Sequence, residues 1–298
     1  MKSMKNRAVL VAISLCLMLC SACSSYATVV SSTKVYKVES KTLSEYDYVK
    51  KLQSKTDREL TEMGYEESDI KAIRDIDFDE YVQELKSSTP DTLAEQGFSN
   101  SAISVIQNSE NEAEILAVTM GNVTYSVTAV SLTYSGGISR LKAMLQWSWS
   151  SKPTLTMKDI VAITTNKDFY RDSESEYNST KIKYYKNGNK NTTAKTRTET
   201  QSTKSSGKVT FSRVPMKVAY ASSTSDKDDV YYAMTGIMKV EMKESGKITT
   251  ANVSGSYGHT IISCTPSVSI GLDGVGSITF TPELKVETGP ESTHSIDL

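Results

Sequence analysis

Residues 141–149 read LKAMLQWSW. Leu141, Ala143, Leu145, Trp147 and Trp149 alternate with Lys142, Gln146 and Ser148. A period of two puts each set on its own face of an extended chain, so the stretch is predicted as a strand with one buried and one wet face. Just upstream, Gly136-Gly137 marks a turn out of a strand running from about Val123 to Tyr134. The alternation returns downstream, where Met238, Val240 and Met242 interleave with Lys239, Glu241 and Lys243. Ile278 with Phe280 and Leu284 with Val286 close the pattern, with Asp273-Gly274 as a turn signal between strands. About seven to nine strands at this spacing, with no helices between them to serve parallel crossovers, predict an antiparallel β-sandwich or open barrel over residues 111–298.

The chain before this part has another period. Residues from about 40 to 110 read as helical, and residues 28–110 hold 17 acidic against 10 basic side chains. Helices and strands are thus segregated along the chain, which predicts an α+β fold: a helical N-terminal region followed by the β-domain. Within the helical region the sequence repeats at an offset of 33 residues: Leu60 with Leu93, Gly64 with Gly97, Tyr65 with Phe98, Ile70 with Ile103, Ile73 with Ile106. The shared pattern is a helix-turn-helix. A helix ends on a glycine in the left-handed region, an aromatic residue packs back on the last turn, and a second helix buries isoleucines at i and i+3. Asp77 with Glu80 predicts the start of a further helix through Leu85. Met63-Gly64-Tyr65 resembles the loop of ubiquitin-associated domains, over a dozen residues and without a clear third helix. That resemblance implies a protein-docking surface, whereas the residues by themselves imply a helix-hairpin stop.

Composition narrows the function. Of 298 residues, 38% are hydrophobic and 23% charged, which excludes a disordered chain and a polytopic membrane protein. A net charge of −1 excludes a strongly basic nucleic-acid binder. Lys2, Lys5 and Arg7 precede the apolar run Ala8 to Cys20, and Ser25-Tyr26-Ala27 places small residues at −3 and −1 of a cleavage point. Residues 1–27 are therefore read as a signal peptide, and the protein as secreted or held at the cell surface. Cys23 after Ser21-Ala22 offers a competing lipoprotein site and membrane anchor. Either processing leaves Cys264 as the last thiol, without a disulfide partner. The near-neutral total then divides, because residues 111–298 carry 21 basic against 18 acidic groups.

The basic excess is concentrated between residues 181 and 217. Lys181, Lys183, Lys186, Lys190, Lys195, Arg197, Lys204, Lys208, Arg213 and Lys217 face one acid, Glu199, and Asn187-Gly188 is a hairpin-turn signal. Two readings stand side by side. One is a cationic hairpin that meets an anionic cell-wall polymer or lipid headgroups, with Lys181 through Lys208 as the ligand-binding residues. The other is a solvated edge hairpin whose lysines discourage strand addition. Trp147 and Trp149 are core residues of a central strand, or alternatively an exposed platform for sugar rings. Asp75, Asp77 and Asp79 match the first ligand positions of a calcium loop, but Glu80 stands where glycine is needed and Lys86 where the bidentate acid belongs. Asp226, Asp228 and Asp229 make a loop cluster. No cofactor or metal motif and no nucleophile-elbow or phosphate-loop pattern is read. His259 and Cys264, five apart, would face opposite sides of one strand. The run Leu145 to Ser150, with Pro153 and Asp159-Ile160-Val161-Ala162, resembles uncharacterised secreted proteins of Gram-positive bacteria. The leading expectation is a non-enzymatic exported protein that binds an envelope polymer or a surface protein. A polysaccharide hydrolase using strand carboxylates such as Glu241, Glu283 or Glu287 and a membrane-active, toxin-like protein are the alternatives.

Overall fold

The computed structural model describes residues 38–222, 228–260, 267–270, 278–281, 286–288 and 291–298. The described residues form one compact unit. The signal segment with Cys23, and Asp226, Cys264, Asp273-Gly274, Glu283 and Leu284, lie outside the described residues.

The chain enters through a short strand, β1 (Lys41–Ser44), in a stretch the periodicity assigns to helix. Leu43 explains the difference: it is buried and sits opposite Val123 at the sheet edge, a partner 80 residues away in sequence. Seven helices follow: α1 (Glu45–Gln53), α2 (Asp57–Glu62), α3 (Glu67–Arg74), α4 (Phe78–Ser87), α5 (Pro90–Glu95), α6 (Asn100–Asn108) and α7 (Glu112–Thr119). Each is short, and their starts are marked by side-chain caps. Thr56, Asp77, Thr89 and Ser99 all accept the amide three residues on, which satisfies one otherwise orphaned helix donor in each case. Asp77 thereby serves a helix start, and Asp75 pairs with Lys71. Between α2 and α3, Gly64 takes φ 87° and Tyr65 N–H donates to Leu60 O at 3.0 Å. Between α5 and α6, Gly97 takes φ 96° and Phe98 N–H donates to Leu93 O at 3.1 Å. These are left-handed helix stops that a side chain bearing Cβ adopts only with strain. Leu60, Leu93, Ile73 and Ile106 fill the core that the helices share.

The strands make two antiparallel sheets. The larger runs β1-β2-β3-β11-β6-β7, with β5 and β10 also on β11. Its strands are β2 (Asn122–Ser135), β3 (Ile138–Trp149), β5 (Tyr170–Arg171), β6 (Ser179–Lys186), β7 (Lys195–Glu199), β10 (Lys217–Tyr220) and β11 (Asp229–Ser245). The smaller runs β15-β12-β4-β9-β8, with β16 on β12. It contains β4 (Lys158–Thr165), β8 (Gln201–Lys204), β9 (Val209–Pro215), β12 (Thr250–Thr260), β15 (Val286–Thr288) and β16 (Ser292–Asp297). A separate hairpin, β13 (Ser267–Ile270) and β14 (Ile278–Thr281), buries Val268, Ile278 and Phe280 with Ile160, Ala162 and Phe211 of the smaller sheet.

The alternation of β3 holds through its length. Leu141, Ala143, Leu145, Trp147 and Trp149 all lie in the main core with Met238, Val240 and Met242 of β11. From the smaller sheet Val161, Ile163, Val214, Val253 and Tyr257 enter the same core, so the two sheets pack as a sandwich. Both tryptophans are buried, which removes the exposed-platform reading: each sits on the core face of a central strand with paired strands on both sides. Gly136 and Gly137 make the β2–β3 turn with both φ positive, as a tight hairpin of this handedness requires. β16 ties the layers together at one corner, where Ser292 Oγ and His294 Nδ1 accept the amides of Val127 and Ala129.

Candidate functional site

The outer face of the larger sheet carries the residues that alternate with the core set. Register places Thr235 beside Ser148, Ile237 beside Gln146, and Lys239 beside Met144. Along the end of that face nearest residues 239–243, the loop 172–178 crosses the sheet. Asp172 bonds Arg140 and Lys243, at 2.6 and 3.0 Å, and Ser175 Oγ donates to Glu241 at 2.6 Å. Tyr177 lies under the ammonium groups of Lys142 and Lys239. Arg140 and Lys243 thus hold Asp172, while Ser175 and, at 3.8 Å, Lys142 hold Glu241. The hydrogen bonds and nearby cations keep the Asp172 carboxyl below the usual range, against the opposing and larger single effect of its burial.

The next rows on the same face are open. They form a groove of about 610 Å³ lined by Thr124, Ser126, Gln146, Ser148, Lys181 and Lys183, with Thr235 and Ile237 between them. Lys181 and Lys183 reach it because they are alternate residues of β6, on the exposed face opposite Ile182 and Tyr184. Trp147 and Gly236 also line the groove. Among the described residues the buried Trp147 indole N–H has no hydrogen-bond acceptor. Hydroxyls, an amide and two ammonium groups make this a surface that can hydrogen-bond a hydroxylated chain and neutralise negative charge on it.

The other cations of the basic stretch are dispersed. Asn187 and Gly188 do turn, with φ 52° and 78°, yet β7 resumes only at Lys195. The intervening loop is docked onto the helical segment and does not extend: Asn189 Nδ2 donates to Ala94 O at 3.1 Å. Lys190 folds its ammonium onto Ser148 Oγ at 2.9 Å and Trp149 O, and burial lowers its pKa. Lys195 lies 4.0 Å over the Tyr220 ring and 4.7 Å from that of Tyr231. Lys186 pairs with Asp229, Arg197 with Glu199, and Lys208 with Asp168. Lys204 is exposed on β8. Periodicity predicts an extended hairpin because it cannot register that β6 pairs with β11 on one side and its loop with a helix end.

No protein-family model matches the chain, and no curated protein matches it. Among solved structures, Clostridium perfringens delta-toxin is 12% identical, over 59% of this chain and 83% of its own, at a TM-score of 0.23. AvmM, described as catalysing macrocyclization in alchivemycin A biosynthesis, is 9% identical over 57% of this chain and 87% of its own, at 0.22. A structure titled pore forming protein is 7% identical over 59% and 78%, at 0.21. Similarity at this level assigns neither a fold nor a function.

A second polar constellation is fully buried. His259 of β12 stands between Asp159 of β4 and Glu45, the first residue of α1. Nδ1 is 3.0 Å from Asp159 Oδ1, and Nε2 is 3.4 Å from Glu45 Oε1, an ionic contact without hydrogen-bond alignment. Asp159 also accepts from Tyr257 OH at 2.6 Å and Thr260 N–H at 3.0 Å. Trp149 Nε1 donates to that tyrosine oxygen at 3.1 Å. Glu45 accepts the amides of Thr154 and Leu155 at 2.9 and 2.6 Å. Burial alone would push the imidazole toward neutrality, but the charge of Asp159 and its hydrogen bond, with the nearby charge of Glu45 adding to them, raise its pKa to about 10. Sequence reading places His259 on a strand without finding these partners, 100 and 214 positions away. One signal was present. Asp159 opens the run Ile160-Val161-Ala162-Ile163, which is buried throughout, and a carboxylate in such a strand has to be paired.

The cluster makes stability depend on pH in a defined direction. His259 has a folded pKa of about 10 against an ordinary 6.5, so its stabilising charge is complete below pH 6.5 and is lost as pH rises toward 10. Melting temperature is expected to fall across that window, and a His259→Asn variant to lose most of the slope. An unchanged slope in the variant would place the titration elsewhere. Among the described residues no cluster of three His, Cys, Asp or Glu side chains suited to a metal occurs. Of the strand acids a hydrolase would draw on, Glu241 is engaged by Ser175 and by Lys142 at 3.8 Å, and Glu287 lies on β15 opposite His259 in register.

Proposed function

We propose that this is an exported, non-enzymatic protein of the cell surface that holds an envelope polymer in the groove on its larger sheet. The polymer is a hydroxyl-rich chain bearing negative charge. The observation that carries this reading is the convergence of Lys181 and Lys183 with Ser148, Gln146, Thr124 and Ser126 in one groove on rigid strands. Strand-borne side chains hold their spacing, so donors need little ordering when a ligand arrives. The charged n-region and apolar run of residues 1–20 support export, with Cys23 as the anchor if the chain is lipidated. The resemblance of Leu145 to Ala162 to secreted Gram-positive proteins points the same way. In the helical segment we propose that α2–α3 and α5–α6 are two copies of one helix-hairpin unit at a 33-residue offset, with α4 between them, on the strength of their matching glycine stops.

The test is sedimentation with purified cell walls. The protein from Thr28 onward is expected to pellet with walls at low salt. It should be released at 1 M salt, where the screening length is about 3 Å. Lys181→Glu/Lys183→Glu is expected to abolish pelleting while melting as the parent does. Pelleting that survives this double charge reversal overturns the groove reading.

A further inference from the structure

The groove on the larger sheet has a long axis, and the strand register gives its direction. Thr124, Ser148, Thr235, Lys183 and Thr196 stand opposite one another on β2, β3, β11, β6 and β7 and form one row. Ser126, Gln146, Ile237 and Lys181 form the next row on the first four of these strands. Apart from Ser40 before β1, these two rows supply every outward-facing side chain of the lining. Neighbouring rows lie about 7 Å apart along the strands, whereas the five strands span about 19 Å. A ligand that fills the groove therefore crosses the strands. Both long sides are closed. Tyr177 lies under the Lys239 ammonium on one side, and Lys190, from the loop after β6, reaches Ser148 on the other.

Charge along this axis is uneven. β2, β11 and β7 bring only hydroxyls and Ile237, while β6 brings Lys181 and Lys183. On β3 the ammonium of Lys190 donates to Ser148 Oγ at 2.9 Å and to Trp149 O. Among the described residues no acid pairs with this ammonium, and its burial lowers its pKa. Ser148 Oγ accepts from a cation, so its own proton points away from Lys190 and toward an acceptor in the groove. Positive charge thus recurs at β3 and at β6 with uncharged β11 between them, a spacing of about 10 Å.

This pattern selects among polymers. A β-linked pyranose advances its chain by a step close to one strand spacing, so a glycan lying across the sheet places one sugar over each strand. Acids at β3 and β6 then belong to every second sugar. A chain charged at every unit would set an anion over Thr235 and Ile237, where no cation meets it and an apolar side chain desolvates it.

We propose that the groove binds an unbranched, β-linked glycan in which acidic and neutral sugars alternate, with one acid at Lys181 and Lys183 and the other at Ser148. Lys190 is the positioning residue that acts through Ser148. The proposal rests on the groove being a polymer site and names the class of polymer.

Hyaluronan oligosaccharides, which alternate glucuronate with N-acetylglucosamine, are the probe, titrated by isothermal calorimetry into the protein from Thr28 onward. A tetrasaccharide reaches both cationic positions and is expected to bind about tenfold or more tighter than a disaccharide, the effect of one added charge-assisted hydrogen bond. From six sugars onward the affinity should stay level, because the five strands are then covered. Chitotetraose, which has the same length without acids, should bind about tenfold or more weaker than the hyaluronan tetrasaccharide. Lys190→Gln is expected to remove the gain from two to four sugars and to leave disaccharide binding, which uses β6, unchanged. A merely structural role for Lys190 would weaken both alike. Ser148→Ala keeps every charge, guards against misfolding of the first variant and should also cut the gain. A disaccharide that binds as tightly as the tetrasaccharide, a gain that survives both variants, or equal binding of chitotetraose overturns the proposal. Pelleting with walls that depends on Lys181 and Lys183, without binding of any hyaluronan oligosaccharide, overturns the alternating glycan and leaves the groove reading standing. The stated length dependence without wall pelleting supports the glycan class and overturns the wall as its source.

Discussion

Urea unfolding of a His259→Phe variant is expected to show a loss of about 3–5 kcal/mol at pH 7. The ring of phenylalanine fills the space beside Trp149, whose indole lies 5.0 Å from the imidazole centroid, so little packing is lost. What goes is the cation between two buried carboxylates. Asp159 and Glu45 keep their amide and hydroxyl donors, but each then faces the other across an apolar space. Removing one partner from a buried ionic group is costly because the charge left behind is uncompensated, whatever the net worth of the intact group. Adding Asp159→Asn to His259→Phe removes one stranded charge and should recover part of the loss. A single variant less than about 1 kcal/mol below the parent would show that the cluster is not ionised as described. Because Glu45 begins α1 while Asp159 and His259 lie in the smaller sheet, the helical segment should show the earliest loss of amide-exchange protection in the variant.

Gly236→Ala is expected to be nearly as damaging. A Cβ on Gly236 would lie 2.1 Å from Cζ2 and 2.5 Å from Cη2 of Trp147. The two residues are directly paired on neighbouring strands, on the core side of the larger sheet. The indole cannot retreat, since Tyr257 of the opposite sheet packs 6.1 Å away, centroid to centroid. Overpacking of this kind costs about 1–3 kcal/mol and more when the obstacle is rigid. The partner change Trp147→Leu should reverse the sign of the interaction. Alanine at 236 would then fill space that the indole vacates, so the double variant is expected to unfold later than the sum of the two single effects. Simple additivity would mean that the glycine is not there for the tryptophan.

The two kinds of residue differ in how far they could be read in advance. LKAMLQWSW shows its buried face directly, because strand alternation is a local property and each side chain's side follows from parity. The glycine stops at 64 and 97, the cap at Asp77 and the turn at Gly136-Gly137 are local in the same sense. The basic stretch misleads for the opposite reason. Its composition is evident, but whether Lys195 meets a polymer or the rings of Tyr220 and Tyr231 depends on which strands lie beside β7. Likewise β1 becomes a strand through Leu43 meeting Val123 at a distant edge.

From the sequence alone follow the segregation of helices from strands, the antiparallel character of the β-part and the membership of its core face. These rest on interactions within a few residues. The tertiary structure decided which cations converge and which are spent on internal partners, and it placed Lys181 and Lys183 in one groove. It also brought Glu45, Asp159 and His259 together inside the protein. Burial and charge pairing act through space, and residues separated by a hundred positions become neighbours only when the sheets have closed.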